Sequence, residues 1–288
     1  MKKIMLFLTN IVIVLALLIA AGCGRTNSNY SYEWTKDGRY ICHALGRIDE
    51  YAYTNSKEAF QENYKKGYRI FEIDIEFTSD DRLVLIHSWK NKDLKKLFGI
   101  ERDESENLKP LSYEEFINSE IYGKYTALSF EDFTKIIKDY PDVYIVLDGK
   151  YDSESKDKLV EEYQMIHDMV NENCPDMLDR FIPQIYDEEM LTTIDEIYQW
   201  KSMIYTLYHF KNDAEFDPDK EMSFAMKNDI KVITMDEDRE FDFVANGFFK
   251  KNIIDKGLMV YVHTINDPEQ AEKLMEDGVY GFYSDDLI

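Results

Sequence analysis

The sequence predicts an α/β protein built as a (β/α)8 TIM barrel, with a β-hairpin and an insertion after the second strand. Two observations lead to this fold. Eight short apolar runs alternate with seven amphipathic stretches of helix length, which is the order of parallel strands joined by crossover helices. No glycine-rich dinucleotide-binding loop follows the first run, which disfavours the main alternative, an open doubly wound sheet.

The predicted elements follow the chain from residue 39 to its end. The apolar runs lie at 39–45, 69–75, 143–148, 181–186, 202–208, 231–236, 258–265 and 280–285. The helical patterns lie between them, at 56–67, 130–139, 154–173, 187–199, 218–229, 241–254 and 267–277. Ser56 and Gly67 suit the start and the end of the first helix, and Pro268 and Gly278 those of the last helix. A length of 288 residues suits one large α/β domain or two small ones.

Two segments depart from the simple alternation. The stretch FTSDDRLVLIHSW predicts a hairpin after the second strand, with Ser79, Asp80 and Asp81 as its turn. The region at about 88–128 is long, charged and without clean periodicity, and such a segment in a compact domain is often a functional insertion or lid. Its aromatic pieces could touch a lipid surface, but an ordinary surface subdomain is the preferred interpretation.

The first residues look like a bacterial lipoprotein signal peptide. Lys2 and Lys3 form a basic start, residues 4–22 are nearly all apolar, and small residues directly precede Cys23. We therefore expect a signal peptide at 1–22 and a lipidated Cys23. An uncleaved transmembrane anchor is the alternative, because the apolar run is about long enough to span a bilayer.

The predicted signal peptide also sets the expected domain boundaries and the expected location. We expect a polar tether at 23–38 and a barrel domain at 39–288. The sequence thus predicts an extracytoplasmic, lipid-anchored protein at the bacterial cell membrane. Cys42 and Cys174 could pair, although their spacing does not indicate it, and without a Cys-x-x-Cys motif a thiolate zinc site is not expected.

The charge balance bears on possible partners. The formal net charge is −23 and the pI is about 4.6. A surface this acidic repels phosphate backbones, so no nucleic-acid partner is expected. An anionic substrate would need a local positive charge from Lys, Arg or a bound cation.

Two carboxylates share one face of the second predicted strand. Glu72 and Asp74 are two residues apart and therefore point to the same side, opposite Phe71, Ile73 and Ile75. A pair of surface acids on an edge strand is the plain explanation, but a central barrel strand has no solvent face. Burying two carboxylates without a cation is costly, so a hard divalent cation with oxygen ligands resolves the pattern.

Other polar residues follow or end the predicted strands. His43, Asp148, Lys150, His209 and His263 all lie near carboxyl ends, which form one rim in a (β/α)8 barrel. Acids, histidines and a lysine on one rim suit phosphoryl transfer. A metal would neutralise phosphate oxygens, one histidine would take a proton from the nucleophile, and another would protonate the leaving oxygen.

Eight short motifs occur in a fixed order along the chain. They are HALG (43–46), TNSKEAF (54–60), EIDIEFTSDD (72–81), LIHSW (85–89), ALSFEDF (127–133), VLDGK (146–150), VHTINDP (262–268) and GVYGFYSDD (278–286). As an ordered set they resemble the glycerophosphodiester phosphodiesterase family, within the barrel enzymes related to phosphatidylinositol-specific phospholipase C. The resemblance implies that Glu72, Asp74 and Asp148 hold a divalent metal, Ca²⁺ or Mg²⁺. Asp148 stands where the family usually has Glu.

The same resemblance implies the remaining site residues. His43 and His87 would be the acid–base pair, and Lys150 would lie near the phosphate. His263 stands where a Trp of the family would wall the substrate pocket, which suggests a different alcohol or head group. Ala44 replaces an Arg that would contact phosphate, and Ser88 replaces the Asp that usually follows the second histidine.

The expected activity is metal-dependent hydrolysis of glycerophosphodiesters to glycerol 3-phosphate and an alcohol. The expected partner is therefore a small phosphodiester or a lipid head group. Two alternatives remain open. One is a phosphodiesterase acting on lysophospholipids, as in sphingomyelinase D-like relatives, or on wall polymers. The other is a non-catalytic ligand-binding lipoprotein on a decayed barrel.

Overall fold

The computed structural model describes residues 30–36, 38–207, 216–237 and 249–287. The predicted signal peptide, Cys23, much of the predicted tether and His209 lie outside these ranges. Among the described residues, no helix is both long enough and apolar enough to cross a bilayer.

Eleven strands are present in the described residues. Their bounds are β1 Tyr40–Cys42, β2 Ile70–Phe77, β3 Leu83–Leu85, β4 Glu120–Ile121, β5 Tyr125–Thr126, β6 Tyr144–Gly149, β7 Phe181–Ile185, β8 Ile204–Thr206, β9 Val232–Asp236, β10 Met259–His263 and β11 Gly281–Ser284. Eight of them form a closed parallel barrel in the order β1, β2, β6, β7, β8, β9, β10, β11, and β11 pairs back with β1. The predicted (β/α)8 fold is confirmed.

The α-helices pack outside this barrel and around the insertion. Their bounds are α1 Lys57–Lys66, α2 Asn91–Phe98, α3 Tyr113–Ile117, α4 Phe130–Ile137, α5 Lys156–Asn173, α6 Glu188–Ile197, α7 Pro218–Lys227 and α8 Pro268–Asp277. Single 3₁₀ turns include His43–Leu45, directly after β1. The helix predicted at 241–254 lies largely outside the described residues; the other six predicted barrel helices are present.

Local sequence signals account for the helix ends. The Ser56 hydroxyl accepts a hydrogen bond from the Ala59 N–H and begins α1. Gly67 ends α1 with a φ of 119°, in the left-handed region that suits glycine. In α8, Asp267 is the N-cap, Pro268 is the first residue and Gly278 follows the last turn.

The predicted hairpin and insertion extend from β2. β3 is antiparallel to β2, with Phe77 opposite Leu83, so the chain returns towards the rim after the turn. The following residues form α2, α3 and the two-stranded β4–β5 sheet. Trp89 and Phe116 pack edge to face at 5.8 Å in this region. The insertion is thus a small subdomain with its own aromatic contacts.

A layer of side chains fills one end of the barrel interior. Each barrel strand contributes one residue, and Trp34 packs against them: Ile41, Ile70, Val146, Ile182, Ile204, Val232, Tyr261 and Tyr283. Because alternate residues of a strand share a face, Glu72 and Asp74 continue the inward row that begins with Ile70. The carboxylates therefore lie above a packed apolar layer. Cys42 and Cys174 are buried free thiols.

Candidate active site

Three buried carboxylates project from two adjacent barrel strands. Asp74 on β2 lies in register with Asp148 on β6, and Glu72 precedes Asp74 on the same face. The exposed fractions of Glu72, Asp74 and Asp148 are 2%, 1% and 9%, and one oxygen of each lies within 4.8 Å of the others. Asp148 also accepts hydrogen bonds from Gln184 at 3.1 Å and from Tyr186 at 2.8 Å. Strand register thus assembles a compact acidic cluster.

Lys150 compensates the charge of this cluster. Its Nζ donates a hydrogen bond to Asp74 at 2.7 Å and another to Asp148. Burial, followed by the charge of Asp74, raises the pKa of Glu72 to about 8. Burial acts in the same direction on Asp74, but Lys150 and the two histidines His87 and His43 outweigh it and hold the pKa of Asp74 low. The cluster therefore requires positive charge, and three carboxylates are ligands that a hard divalent cation prefers.

His43 follows β1 in a strained turn. Ala44 has a φ of 47°, in the left-handed region, and its N–H donates to the Glu72 carboxylate at 2.6 Å. The His43 Nδ1 lies 3.0 Å from the Asp285 carboxylate. Burial lowers the pKa of His43, but this hydrogen bond and the charges of Glu72 and Asp74 outweigh it and raise the pKa to about 9.

His87 reaches the same site from the hairpin. It follows β3 and is exposed, whereas His43 is largely buried. The ring of Tyr53 lies between the two histidines, 4.4 Å from His43 and 5.4 Å from His87, edge to face in both contacts. The structure therefore places both histidines close enough to the carboxylates for their charges to act on Asp74, while the roles assigned to these residues stay a prediction.

A family comparison explains this combination. A model of the glycerophosphoryl diester phosphodiesterase family matches residues 46–288. The chain belongs to this family. The prediction of a phosphoric diester hydrolase is thereby confirmed. A search of curated proteins found no match.

Solved phosphodiesterases have a similar fold. A phosphodiesterase from Oleispira antarctica, in complex with the product sn-glycerol-3-phosphate, has a TM-score of 0.66 at 16% identity, covering 86% of this chain and 93% of that one. A glycerophosphoryl diester phosphodiesterase from Silicibacter pomeroyi has a TM-score of 0.65 at 17% identity, over 91% and 92% of the two chains. A third, from Parabacteroides distasonis, gives 0.64 at 14% identity, over 86% and 92%. At these identities the similarity establishes the fold.

Two polar residues that received no role from the sequence support the family site. Asp285 follows β11, accepts from Asn266 at 2.7 Å and bonds His43. Asn55 donates from its side chain to Asp74 at 2.8 Å. Both lie in motifs that carry the family resemblance, GVYGFYSDD and TNSKEAF. Their position in these motifs is the sequence signal that could have identified them as site residues.

The positions that depart from the family pattern have identifiable partners. Arg47, close to the position of the missing Arg, pairs with Asp286 at 2.7 Å rather than with the carboxylate cluster. The Ser88 hydroxyl donates to the Asp93 carboxylate at 2.5 Å. His263 ends β10 on the barrel rim, and burial, followed by the charge of His43, lowers its pKa to about 4.

Proposed function

We propose that this phosphodiesterase hydrolyses glycerophosphodiesters to glycerol 3-phosphate and an alcohol, using a divalent metal and histidine acid–base chemistry. One observation carries the proposal: two histidines, both in contact with the Tyr53 ring, lie beside a buried carboxylate cluster that is compensated by Lys150. The bound glycerol phosphate of the Oleispira antarctica enzyme supports a small phosphodiester as the ligand class.

The acidic cluster fits a divalent cation. Glu72, Asp74 and Asp148 would hold Ca²⁺ or Mg²⁺, since all three offer buried oxygen ligands within 4.8 Å of one another. When bound, the cation would neutralise charge on the non-bridging phosphate oxygens. Asn55 keeps the Asp74 carboxylate in place by donating to it at 2.8 Å.

The two histidines would move the protons of the reaction. One takes a proton from the attacking hydroxyl, and the other gives one to the leaving oxygen. Asp285 holds His43 by its Nδ1, which leaves Nε2 for the proton transfer. The edge contacts with Tyr53 restrict the orientation of both histidine rings.

In the proposed function, a bound cation would displace Lys150 from its contacts with the carboxylates. Its side chain is 21% exposed, and its ammonium group occupies the charge-compensating position between Asp74 and Asp148. A cation held by the same carboxylates would repel this ammonium group. We expect Lys150 then to contact the phosphate, on the exposed side of the cluster.

The leader suggests where this reaction takes place. Small residues before Cys23 and the basic start at Lys2 and Lys3 support a lipid-anchored, extracytoplasmic enzyme at the bacterial membrane. This location would present the site to head groups, and His263 in place of a Trp suggests a head-group preference of its own.

Release of glycerol 3-phosphate tests the proposal. The full-length chain is assayed with glycerophosphocholine, glycerophosphoethanolamine and glycerophosphoglycerol, with Ca²⁺, with Mg²⁺ and with EDTA. We expect release with at least one metal and its loss with EDTA. Metal-independent release, or no release from any of the three diesters with either metal, would contradict the proposal.

A further inference from the structure

A basic cavity lies next to the candidate active site. Its volume is about 230 Å³, and we call it the lysine pocket. It is lined by Tyr53, His87, Lys90, Lys92, Asp93, Lys96 and Leu97. His87 and Tyr53 also belong to the candidate active site, so the two spaces share a wall.

The three lysines lie close together in the chain, at the start and on the surface of α2. Lys90 directly precedes α2, and Lys92 and Lys96 lie one turn apart on its surface. Like charges at this spacing weaken a helix, so α2 itself gains nothing from them. Within the described residues none of the three forms an ion pair, whereas Lys95 on the same helix pairs with Glu101 at 2.7 Å.

The pocket contains one carboxylate, and it already has a partner. Asp93 accepts a hydrogen bond from Ser88 at 2.5 Å. Three exposed lysines therefore line a small cavity on a chain whose formal net charge is −23. A local positive field of this kind attracts an anion, and lysine binds phosphate oxygens through charge-assisted hydrogen bonds.

The rest of the lining suits a carbon linker. Leu97 is buried, and the Tyr53 ring separates the pocket from His43. A ligand that spans from the carboxylate cluster to the lysines would pass these two side chains. Its charged ends would then lie on either side of His87.

We propose that the lysine pocket binds a second phosphate of the substrate, one glycerol unit away from the phosphodiester that is cleaved. The inference rests on the proposed function and narrows its substrate class. The preferred substrate is an oligomer of glycerol phosphate, in which charged phosphates repeat along a short polyol chain. A single-phosphate diester leaves the lysines without a ligand.

A comparison of two soluble substrates tests this subsite. kcat/KM is measured on the full-length chain for glycerophosphoglycerol and for a linear trimer of glycerol phosphate. We expect the wild type to prefer the trimer by about tenfold or more, the effect of added charge-assisted contacts. The preference should fall in about 1 M NaCl, where the Debye length is about 3 Å.

The decisive variant is Lys92→Gln/Lys96→Gln, which removes two charges from the pocket. We expect it to lose about tenfold of the trimer preference, mainly through KM. The matched control is Lys95→Gln, on the same helix but paired with Glu101, and it should keep the wild-type preference. An unchanged preference in the double variant, or no trimer preference in the wild type, would overturn the subsite.

A binding measurement separates this inference from the proposed reaction. Calorimetry with the glycerol phosphate trimer is run on His43→Ala, with and without the two lysine substitutions. A loss of affinity of about tenfold in the triple variant supports the subsite even if the wild type shows no turnover. Equal affinities overturn it even if glycerophosphodiesters are hydrolysed. Sensitivity to the lysine substitutions only with vesicles of a bisphosphate lipid also overturns the proposal for a soluble oligomer.

Discussion

The carboxylate cluster and the lysine pocket lie on either side of His87 and Tyr53, but they are built in opposite ways. The carboxylates project from paired barrel strands and are almost completely buried. The lysines are exposed and lie at the start and on the surface of a single short helix in the insertion. In the proposed function the chemistry belongs to the barrel, where strand pairing fixes the position of each carboxylate. We propose that substrate choice falls to the insertion, where a few charges can change without disturbing the fold.

The largest effect should come from His43 and His87, the two histidines beside the carboxylate cluster, of which His87 also lines the lysine pocket. His43→Ala and His87→Ala are each expected to reduce kcat by about 10²- to 10⁴-fold, the size of a lost general acid or base. His167→Ala is the control, because His167 lies on α5 and bonds Asp168. Steady-state assays with circular dichroism check this. Retention of normal turnover by both single variants would refute the assigned chemistry.

A smaller loss is expected when His43 keeps its ring but loses its partner. Asp285→Asn should reduce kcat by about 10- to 100-fold. Because Asp285 raises the pKa of His43, its removal should also move one limb of the pH–rate profile to lower pH. The matched control is Asp286→Asn: both carboxylates pair with Arg47, at 2.7 Å for Asp286 and 3.8 Å for Asp285, but it is Asp285 that bonds His43. A profile that does not move in Asp285→Asn would show that this contact is only structural.

The link between His43 and Asp285 also shows what the sequence could and could not predict. The period of two along β2 was enough to place Glu72 and Asp74 on one inner face. Asp285 is 242 positions from His43 and meets it only because β11 closes the barrel against β1, with Ser284 opposite Cys42. No local pattern reports such a contact.

The insertion was less predictable for a different reason. Its helices α2 and α3 have only eight and five residues, too few turns to give a clear hydrophobic period. The sequence therefore indicated a charged segment but not a cavity. The lysines of α2 can be related to the candidate active site only in the structure, because the β2–β3 hairpin brings His87 into the same cavity.

The smallest expected effect concerns a buried acid on helix α5. Glu162 on α5 is fully buried, and burial together with the charge of Glu76 raises its pKa well above the ordinary value. A carboxyl with a raised folded-state pKa supports stability below its unfolded pKa and loses that support as pH rises above it. Glu162→Gln should therefore raise Tm relative to wild type at pH 8, by about 2–4 °C, and much less at pH 4.5.

Thermal unfolding at the two pH values measures this effect. The control is Glu161→Gln, a partly exposed neighbour that pairs with Lys158. A Tm difference between Glu162→Gln and wild type that does not grow with pH would show that Glu162 is not buried as a neutral carboxyl. The surroundings of Glu162 would then be more hydrated than the structure indicates.

The account depends most on the cation site formed by Glu72, Asp74 and Asp148. Its most direct test is calorimetric titration of the metal-free full-length chain with Ca²⁺ and with Mg²⁺, beside Asp74→Ala. We expect the wild type to bind one ion of at least one of these metals per chain, and Asp74→Ala to lose that binding by about 100-fold or more. Equal binding by the two proteins, or no binding of either metal by the wild type, would contradict the account.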